Sequence, residues 1–172
     1  MAEQGITLVY GGSNVGLMRV IADTVLNAGG KVTGIMPHTL IEREVAHQGN
    51  TEFHVVESMA ERKNLMGELS DAFIAMPGGI GTLDELFEAM SWNQLETMDK
   101  PVAILNIDHY FDGLLAFLDH SVDQRFVKPE HRLNLIVETD ETLLLQKMIQ
   151  YNPRKVDGGK WIRELKENTF LF

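Results

Sequence analysis

The segment of the chain with the most chemical content is Pro77-Gly78-Gly79-Ile80-Gly81-Thr82, which lies between a β-rich run and a helical pattern. A helix that opens on such a turn leaves its first backbone amides without intrahelical partners, and its dipole adds positive potential at the same end. The two effects make an anion site, suited to a phosphate or a carboxylate. It is not a Walker A loop, because no Gly-Lys-Ser/Thr follows, and phosphoryl transfer from ATP has no sequence support. Glu85 stands just beyond. It is open to two readings: an acid that serves whatever binds at the loop, or the last member of a capping box Thr82-Leu83-Asp84-Glu85, bonded to the Thr82 amide.

A second glycine-rich stretch, Gly11-Gly12-Ser13-Asn14-Val15-Gly16, approaches the dinucleotide fingerprint but has Ser13 where the second glycine belongs. The next strand runs into Met36-Pro37 and supplies no acid for a ribose, so NAD is not the expected ligand. Gly11, Gly12 and Ser13 are left as a phosphate or ribose loop, or as a tight turn that lets the helix pack closely on the sheet. None of the six histidines lies in a metal-ligand pattern such as H-E-x-x-H, and the absence of cysteine removes thiolate sites and thiol nucleophiles.

These loops need elements to hold them, and the hydrophobic periodicity supplies a series. Ile6–Tyr10 reads as a strand and Val15–Ala28 as an amphipathic helix ended by Gly29-Gly30; Lys31–Met36 and Phe53–Val56 are further strands. Ser58-Met59-Ala60-Glu61 is a capping box that opens a helix to about Leu69, and Ala72–Met76 is the strand before the anion loop. Leu83, Leu86, Phe87 and Met90 mark the buried face of the helix after it. A strand at Pro101–Asn106, a helix at Tyr110–Val122 and a short strand at Leu135–Val137 follow. Thr139 or Asp140 then caps a helix carrying Leu143–Ile149. Parallel strands require crossover connections, which are normally helices, so strand alternating with helix predicts an α/β, doubly wound, Rossmann-like parallel sheet with helices on both faces. Residues 1–150 are expected to form one such domain. Residues 151–172 are a tail in which Trp161, Ile162 and Leu165 suggest a terminal helix or packed arm. Trp92 and Met90 are expected in the core or at an interface.

Composition narrows the function classes. With 25 Asp plus Glu against 15 Lys plus Arg, the formal charge is −10, which repels nucleic-acid backbones and anionic lipid at long range. Neither a nucleic acid nor a membrane is an expected partner. A small phosphorylated ligand is compatible with that field, because local amides and one or two arginines can hold it. The start, Met1-Ala2-Glu3-Gln4, lacks the order of a secretory signal, and no apolar run reaches a membrane span, so a soluble, cytoplasmic protein is expected.

PGGIGTLDE resembles the P-G-G-x-G-T-x-x-E signature of the Lonely Guy family, formerly labelled lysine decarboxylases. Tyr10-Gly11-Gly12-Ser13 with Gly16-Leu17-Met18, Met59-Ala60-Glu61-Arg62-Lys63, Ser91-Trp92-Asn93-Gln94-Leu95 and Lys100-Pro101-Val102 with Leu105-Asn106 fall in the same order, so the likeness covers roughly residues 1–150. It implies hydrolysis of the N-glycosidic bond of nucleoside 5′-monophosphates, cytokinin riboside monophosphates or AMP, to free base and ribose 5-phosphate. It also implies that Arg62 and Glu85 are the catalytic pair, with Lys63 beside them, and that Gly79, Ile80, Gly81 and Thr82 hold the phosphate. Glu44 and Ser91 would contact the substrate, the protein would be a homodimer, and neither metal nor organic cofactor would take part. Two features depart from the family pattern. The family's first strand is apparently missing, which predicts an exposed strand edge, and Arg19 stands where glycine is common after Gly-Leu-Met.

Breaking a ribosyl N-glycosidic bond builds positive charge on the sugar, so a carboxylate beside C1′ can stabilise that charge, position water or attack. Glu85 suits each role, and Arg62 could hold the phosphate or orient Glu85. A pyridoxal-binding lysine motif is not apparent, which argues against the decarboxylase label. The rival from another class is a nucleotide or cofactor carrier that binds through the same glycine loops without turnover.

Overall fold

The computed structural model describes residues 1–41 and 46–155. The chain divides into two compact units, Met1–Asp71 and a second that begins at Ala72. Each carries a three-stranded, all-parallel sheet with helical crossovers, in keeping with the Rossmann-like α/β class that the sequence predicts. The strand ladders fall into two sheets rather than one.

In the first unit β1 (Leu8–Tyr10), α1 (Gly16–Asn27), β2 (Val32–Pro37), α2 (His38–Ile41), β3 (Glu52–Val56) and α3 (Met59–Leu69) follow a short 3-10 turn at Ala2–Gln4. The sheet order is β1-β2-β3, with Leu8 opposite Val32 and Gly34 opposite Phe53. Central β2 is buried along its whole length. Ala22 and Val25 on α1 pack on Leu8, Tyr10 and Val32, as expected for an amphipathic helix over alternate strand residues. Gly29, at φ 75°, ends α1 in the left-handed region, and the Gly30 amide returns to the Val25 carbonyl at 2.8 Å. Ser58 caps α3 as its sequence predicts: its Oγ accepts from the Glu61 amide at 3.1 Å, while Glu61 Oε2 reaches back to the Glu57 amide at 2.8 Å.

The second unit runs β4 (Phe73–Ala75), α4 (Ile80–Gln94), β5 (Val102–Leu105), α5 (Asp112–Asp123), α6 (Pro129–Asn134), β6 (Leu135–Glu138) and α7 (Glu141–Ile149), with sheet order β4-β5-β6. Central β5 shows why its sequence is continuously apolar. Val102 and Ile104 face a cluster containing Leu86 and Ala89 of α4 and Leu118 of α5, while Ala103 and Leu105 face Leu144 and Met148 of α7. Both faces of this sheet are thus covered by helices. Leu83, Phe87 and Met90 pack against the first cluster, and half-buried Trp92 meets Phe73 edge to face at 6.4 Å between ring centres. Asp140, not Thr139, caps α7, with its Oδ1 2.7 Å from the Leu143 amide. The helix expected from Tyr110 starts later, at Asp112, after a 3-10 turn at Ile107–His109. Periodicity missed α2 and α6, which are too short to show a 3.6-residue pattern. The outer edges of β1 and β4 have no strand partner among the described residues. Arg19 is exposed on α1, and the suggested terminal helix beyond residue 155 lies outside the described residues.

Candidate active-site elements

In the second unit the chain leaves β4 at Ala75 and reaches Gly79, whose extended backbone (φ −93°, ψ −155°) caps α4 with no side-chain bond. The first helical bond runs from the Leu83 amide to the Gly79 carbonyl at 3.2 Å, so the amides of Ile80, Gly81 and Thr82 come before any intrahelical acceptor. The N-terminus of a 15-residue helix is therefore unfilled by its own side chains. The capping-box reading of Thr82 is overturned: Thr82 lies inside α4, three residues after the cap, because the helix runs back through Ile80 and Gly81. Glu85 consequently sits in the second turn, half-buried, three residues after Thr82 and four after Gly81. That spacing puts it on their face of the helix, and the tilt of helical Cβ atoms toward the N-terminus inclines it to the anion end. Ile80 is 83% exposed at the tip of the turn.

Two further side chains shape this turn. A Cβ built on Gly78 would lie 2.1 Å from Thr82 Oγ1, so the threonine side chain folds onto the bare glycine and no larger residue fits with it in place. The Tyr110 hydroxyl donates to the Gly78 carbonyl at 2.6 Å across 32 residues of sequence. The sequence reading placed Tyr110 within a helix and missed this contact, for which no local pattern gives a signal. Ser91, further along α4, is exposed, and its hydroxyl donates to the Phe87 carbonyl at 2.7 Å, leaving only lone pairs to offer a ligand. It borders a small cavity lined also by Met90, Leu118, Val127 and His131. Burial pushes the His131 imidazole below its ordinary pKa, helped by the Lys128 cation and opposed by Glu130 and Glu96.

In the first unit, Arg62 lies on α3 and is 9% exposed. Its Nε donates to the Ile35 carbonyl at 3.0 Å, and its Nη1 stands 3.7 Å from Met59 Sδ. The guanidinium passes directly over Gly11: a Cβ there would fall 1.8 Å from Nη2 and 3.0 Å from Cζ. The glycine after β1 thus makes room for a buried arginine, a reason that the fingerprint comparison did not supply. The neighbouring Gly12 carbonyl accepts from the His47 amide at 3.0 Å. Ser13 is fully buried, bridges Ala46, and its Oγ has no hydrogen-bond partner among the described residues. Lys63 follows Arg62 on α3 and is half-buried. Glu44 lies outside the described residues.

A polar network that the sequence did not reveal closes this end of the first sheet. His47 Nδ1 accepts from the Gly49 amide at 3.1 Å, which puts the ring proton on Nε2, 2.9 Å from Asp23 Oδ1. Asn50 donates to the His47 carbonyl at 3.0 Å and accepts from the Tyr10 hydroxyl at 3.0 Å. Burial raises the Tyr10 pKa, the Asn50 bond opposes the rise, and the Asp23 charge adds to it. Among the described residues no group of three His, Cys, Asp or Glu is placed to hold a metal ion, and no helix is long and apolar enough to cross a membrane.

Residues 18–148 match the family model described as "Possible lysine decarboxylase". The chain is 43% identical over 154 residues to a rice protein (Oryza sativa subsp. japonica) named "Probable cytokinin riboside 5′-monophosphate phosphoribohydrolase", the match taking in 90% of this chain and 62% of that protein. A cytokinin riboside 5′-monophosphate phosphoribohydrolase of Arabidopsis thaliana is 45% identical over 153 residues, with 89% of this chain and 67% of the relative covered. One from Rhodococcoides fascians is 44% identical over 141 residues, with 81% and 71% covered. The chain therefore spans between 62% and 71% of the length of these relatives. Among solved structures it is similar to the molybdenum cofactor binding protein of Rippkaea orientalis, with a TM-score of 0.61, 26% identity, and 87% of this chain and 78% of that chain covered. The molybdenum cofactor carrier protein of Chlamydomonas reinhardtii, at 20% identity and TM-score 0.62 over 87% of this chain and 81% of that one, shares the fold. The signature around Glu85, the extent of the family-model match and the identity to three plant and bacterial relatives agree, and the chain belongs to the Lonely Guy family.

Proposed function

We propose that this protein hydrolyses the N-glycosidic bond of a nucleoside 5′-monophosphate, a cytokinin riboside monophosphate or AMP, to free base and ribose 5-phosphate. The observation that carries the reading is the α4 N-terminus: uncapped amides of Ile80, Gly81 and Thr82, with Glu85 on the same helix face one turn further on. A ribose 5-phosphate unit carries its anion on C5′, one carbon off the ring that holds the reacting C1′. An anion site and a carboxylate about one helical turn apart, roughly 5 Å, suit those two groups. In the reaction C1′ loses its bond to the base nitrogen, which departs with the electron pair and takes up a proton. Water adds to C1′ and releases a proton. Glu85 stabilises the oxocarbenium-like charge, whether as nucleophile or as base toward that water.

Arg62 is the proposed second catalytic group. A buried guanidinium anchored through Nε offers a preoriented fork of donors, which serves a phosphate or carboxylate better than a lysine would. Gly79, Ile80, Gly81 and Thr82 bind the phosphate, and Lys63, Ser91 and Glu44 contact the nucleotide. Gly11, Gly12 and Ser13 are proposed as a further phosphate or ribose loop. We further propose that residues 1–150 act as one nucleotide-binding domain, in a cytoplasmic homodimer formed through the helix bearing Met90 and Trp92 and the adjoining Leu95, which is 69% exposed.

The test is base release from AMP and a cytokinin riboside monophosphate by wild type and Glu85→Gln. Removing the charge should cut turnover by about 100-fold or more with little change in substrate binding. Melting temperatures taken alongside separate a loss of turnover from a loss of fold. Equal turnover in an active wild type would sink the assignment. The carrier reading is the second one, favoured by the 26% identical molybdenum cofactor binding protein. It predicts tight nucleotide or cofactor binding with no base released, and stoichiometric recovery of the intact ligand.

A further inference from the structure

We propose that Tyr110 is a positioning residue that locks the Gly78–Gly79 peptide plane and so aims the Gly79 amide at the bound phosphate; this rests on the reading of the loop as a phosphate site. A trans peptide holds its carbonyl and the following N–H in one plane, pointing in opposite directions. Fixing the Gly78 carbonyl therefore fixes the direction of the Gly79 N–H. Between two glycines such a plane turns over at little steric cost, because neither flanking Cβ resists it. Thr82 packed on Gly78 prevents a Cβ there from supplying the resistance: the side chain that would stiffen the loop would sit 2.1 Å from Thr82 Oγ1. The constraint must come from outside the loop, and the bond from the Tyr110 hydroxyl to the Gly78 carbonyl, at 2.6 Å, provides it.

The segment that carries Tyr110 is built to hold it there. Asn106, at the end of β5 and 4% exposed, takes its amide to the Glu138 carbonyl at 2.7 Å. Its Oδ1 accepts from the Phe111 amide at 2.8 Å, and its Nδ2 donates to Asp112 Oδ1 at 2.8 Å. Phe111 is 2% exposed in the core, and the Tyr110 ring stands against it edge to face at 4.9 Å. Between Asn106 and Tyr110 the chain adopts left-handed backbone at two non-glycine residues, Asp108 (φ 50°) and His109 (φ 60°). Non-glycine residues hold such angles where the surroundings over-determine them, and the device here delivers a half-exposed tyrosine to one carbonyl of the anion loop.

Tyr110→Phe removes the hydroxyl alone. The expected result is a rise of about three- to tenfold in KM for AMP, and in the inhibition constant of inorganic phosphate, from the loss of one neutral hydrogen bond. kcat should fall less than KM rises, and the melting temperature should stay within about 3 °C, since the bond is on the surface. Backbone 15N order parameters at Gly79 should fall in the variant without any ligand. Unchanged KM and phosphate inhibition in an active pair of enzymes would overturn the proposal. If wild type releases no base from any monophosphate, the hydrolase reading fails by itself. The lock is then judged by the Gly79 order parameter and by inorganic phosphate titrated against the amide resonances, and equal behaviour of the two proteins would refute it.

Discussion

Gly11→Ala tests the packing on which the Arg62 assignment depends. A Cβ at residue 11 would fall 1.8 Å from Arg62 Nη2 and 3.0 Å from Cζ, against about 3.4 Å for an ordinary contact, so the guanidinium has to move. The group is planar and rigid, and displacing Nη2 by the required ångström or more swings Nε off the Ile35 carbonyl, 3.0 Å away. The arginine is 9% exposed, so water does not readily replace the lost partner. Losing a buried bond from a charged donor costs about 1.5–3 kcal/mol, which in a chain of this size lowers the melting temperature by roughly 3–12 °C. Backbone strain adds nothing, because Gly11 does not have positive φ. The next nearest atom, Met18 Sδ at 3.4 Å, is in ordinary contact, so in an Arg62→Ala background the same substitution should cost less than about 0.5 kcal/mol. Thermal and urea melts of wild type, both single variants and the double variant measure the cycle. A Gly11→Ala melt within 1 °C of wild type by the measurement, or an equal loss in both backgrounds, would refute the clash and with it the claim that the glycine is there for the arginine.

Asn106→Ala should destabilise by about 2–3 kcal/mol, since it strands the Phe111 amide beside the core and removes the partner of Asp112 Oδ1; urea midpoints measure it, and a loss below about 1 kcal/mol would show that the bonds at 2.8 Å carry little. Acid should weaken the fold through His131. Its pKa is lowered in the folded state from an ordinary 6.5, so the unfolded chain binds the proton more tightly; the contribution is complete above that value and is lost as pH falls from there through the folded pKa. Denaturant midpoints at neutral and mildly acid pH should therefore converge in His131→Gln, and an unchanged acid loss in that variant would assign it to other groups.

Local chemistry made much of this molecule legible in its sequence. The capping box at Ser58, the glycines that end α1 and the apolar runs of the strands act within a few residues, and each appears within a residue or two of its expected place. The family signature singled out Glu85, Arg62 and the glycine-rich loop as candidates together, because a motif preserves residue type and order. The start of α4 is where local reasoning failed. Thr82-Leu83-Asp84-Glu85 satisfies the capping pattern, yet the helix begins at Ile80, since Gly79 can take the extended cap backbone and the apolar face from Leu83 onward is buried whichever residue caps it. Only the folded chain decided what lies over each glycine. Arg62 reaches Gly11 across 51 residues and Tyr110 reaches Gly78 across 32, through contacts fixed by the order of parallel strands and by the burial of Ile35 and Phe111. A glycine in a sequence declares that a side chain is absent; which neighbour occupies the space is a tertiary fact, because that neighbour arrives from another strand–helix unit.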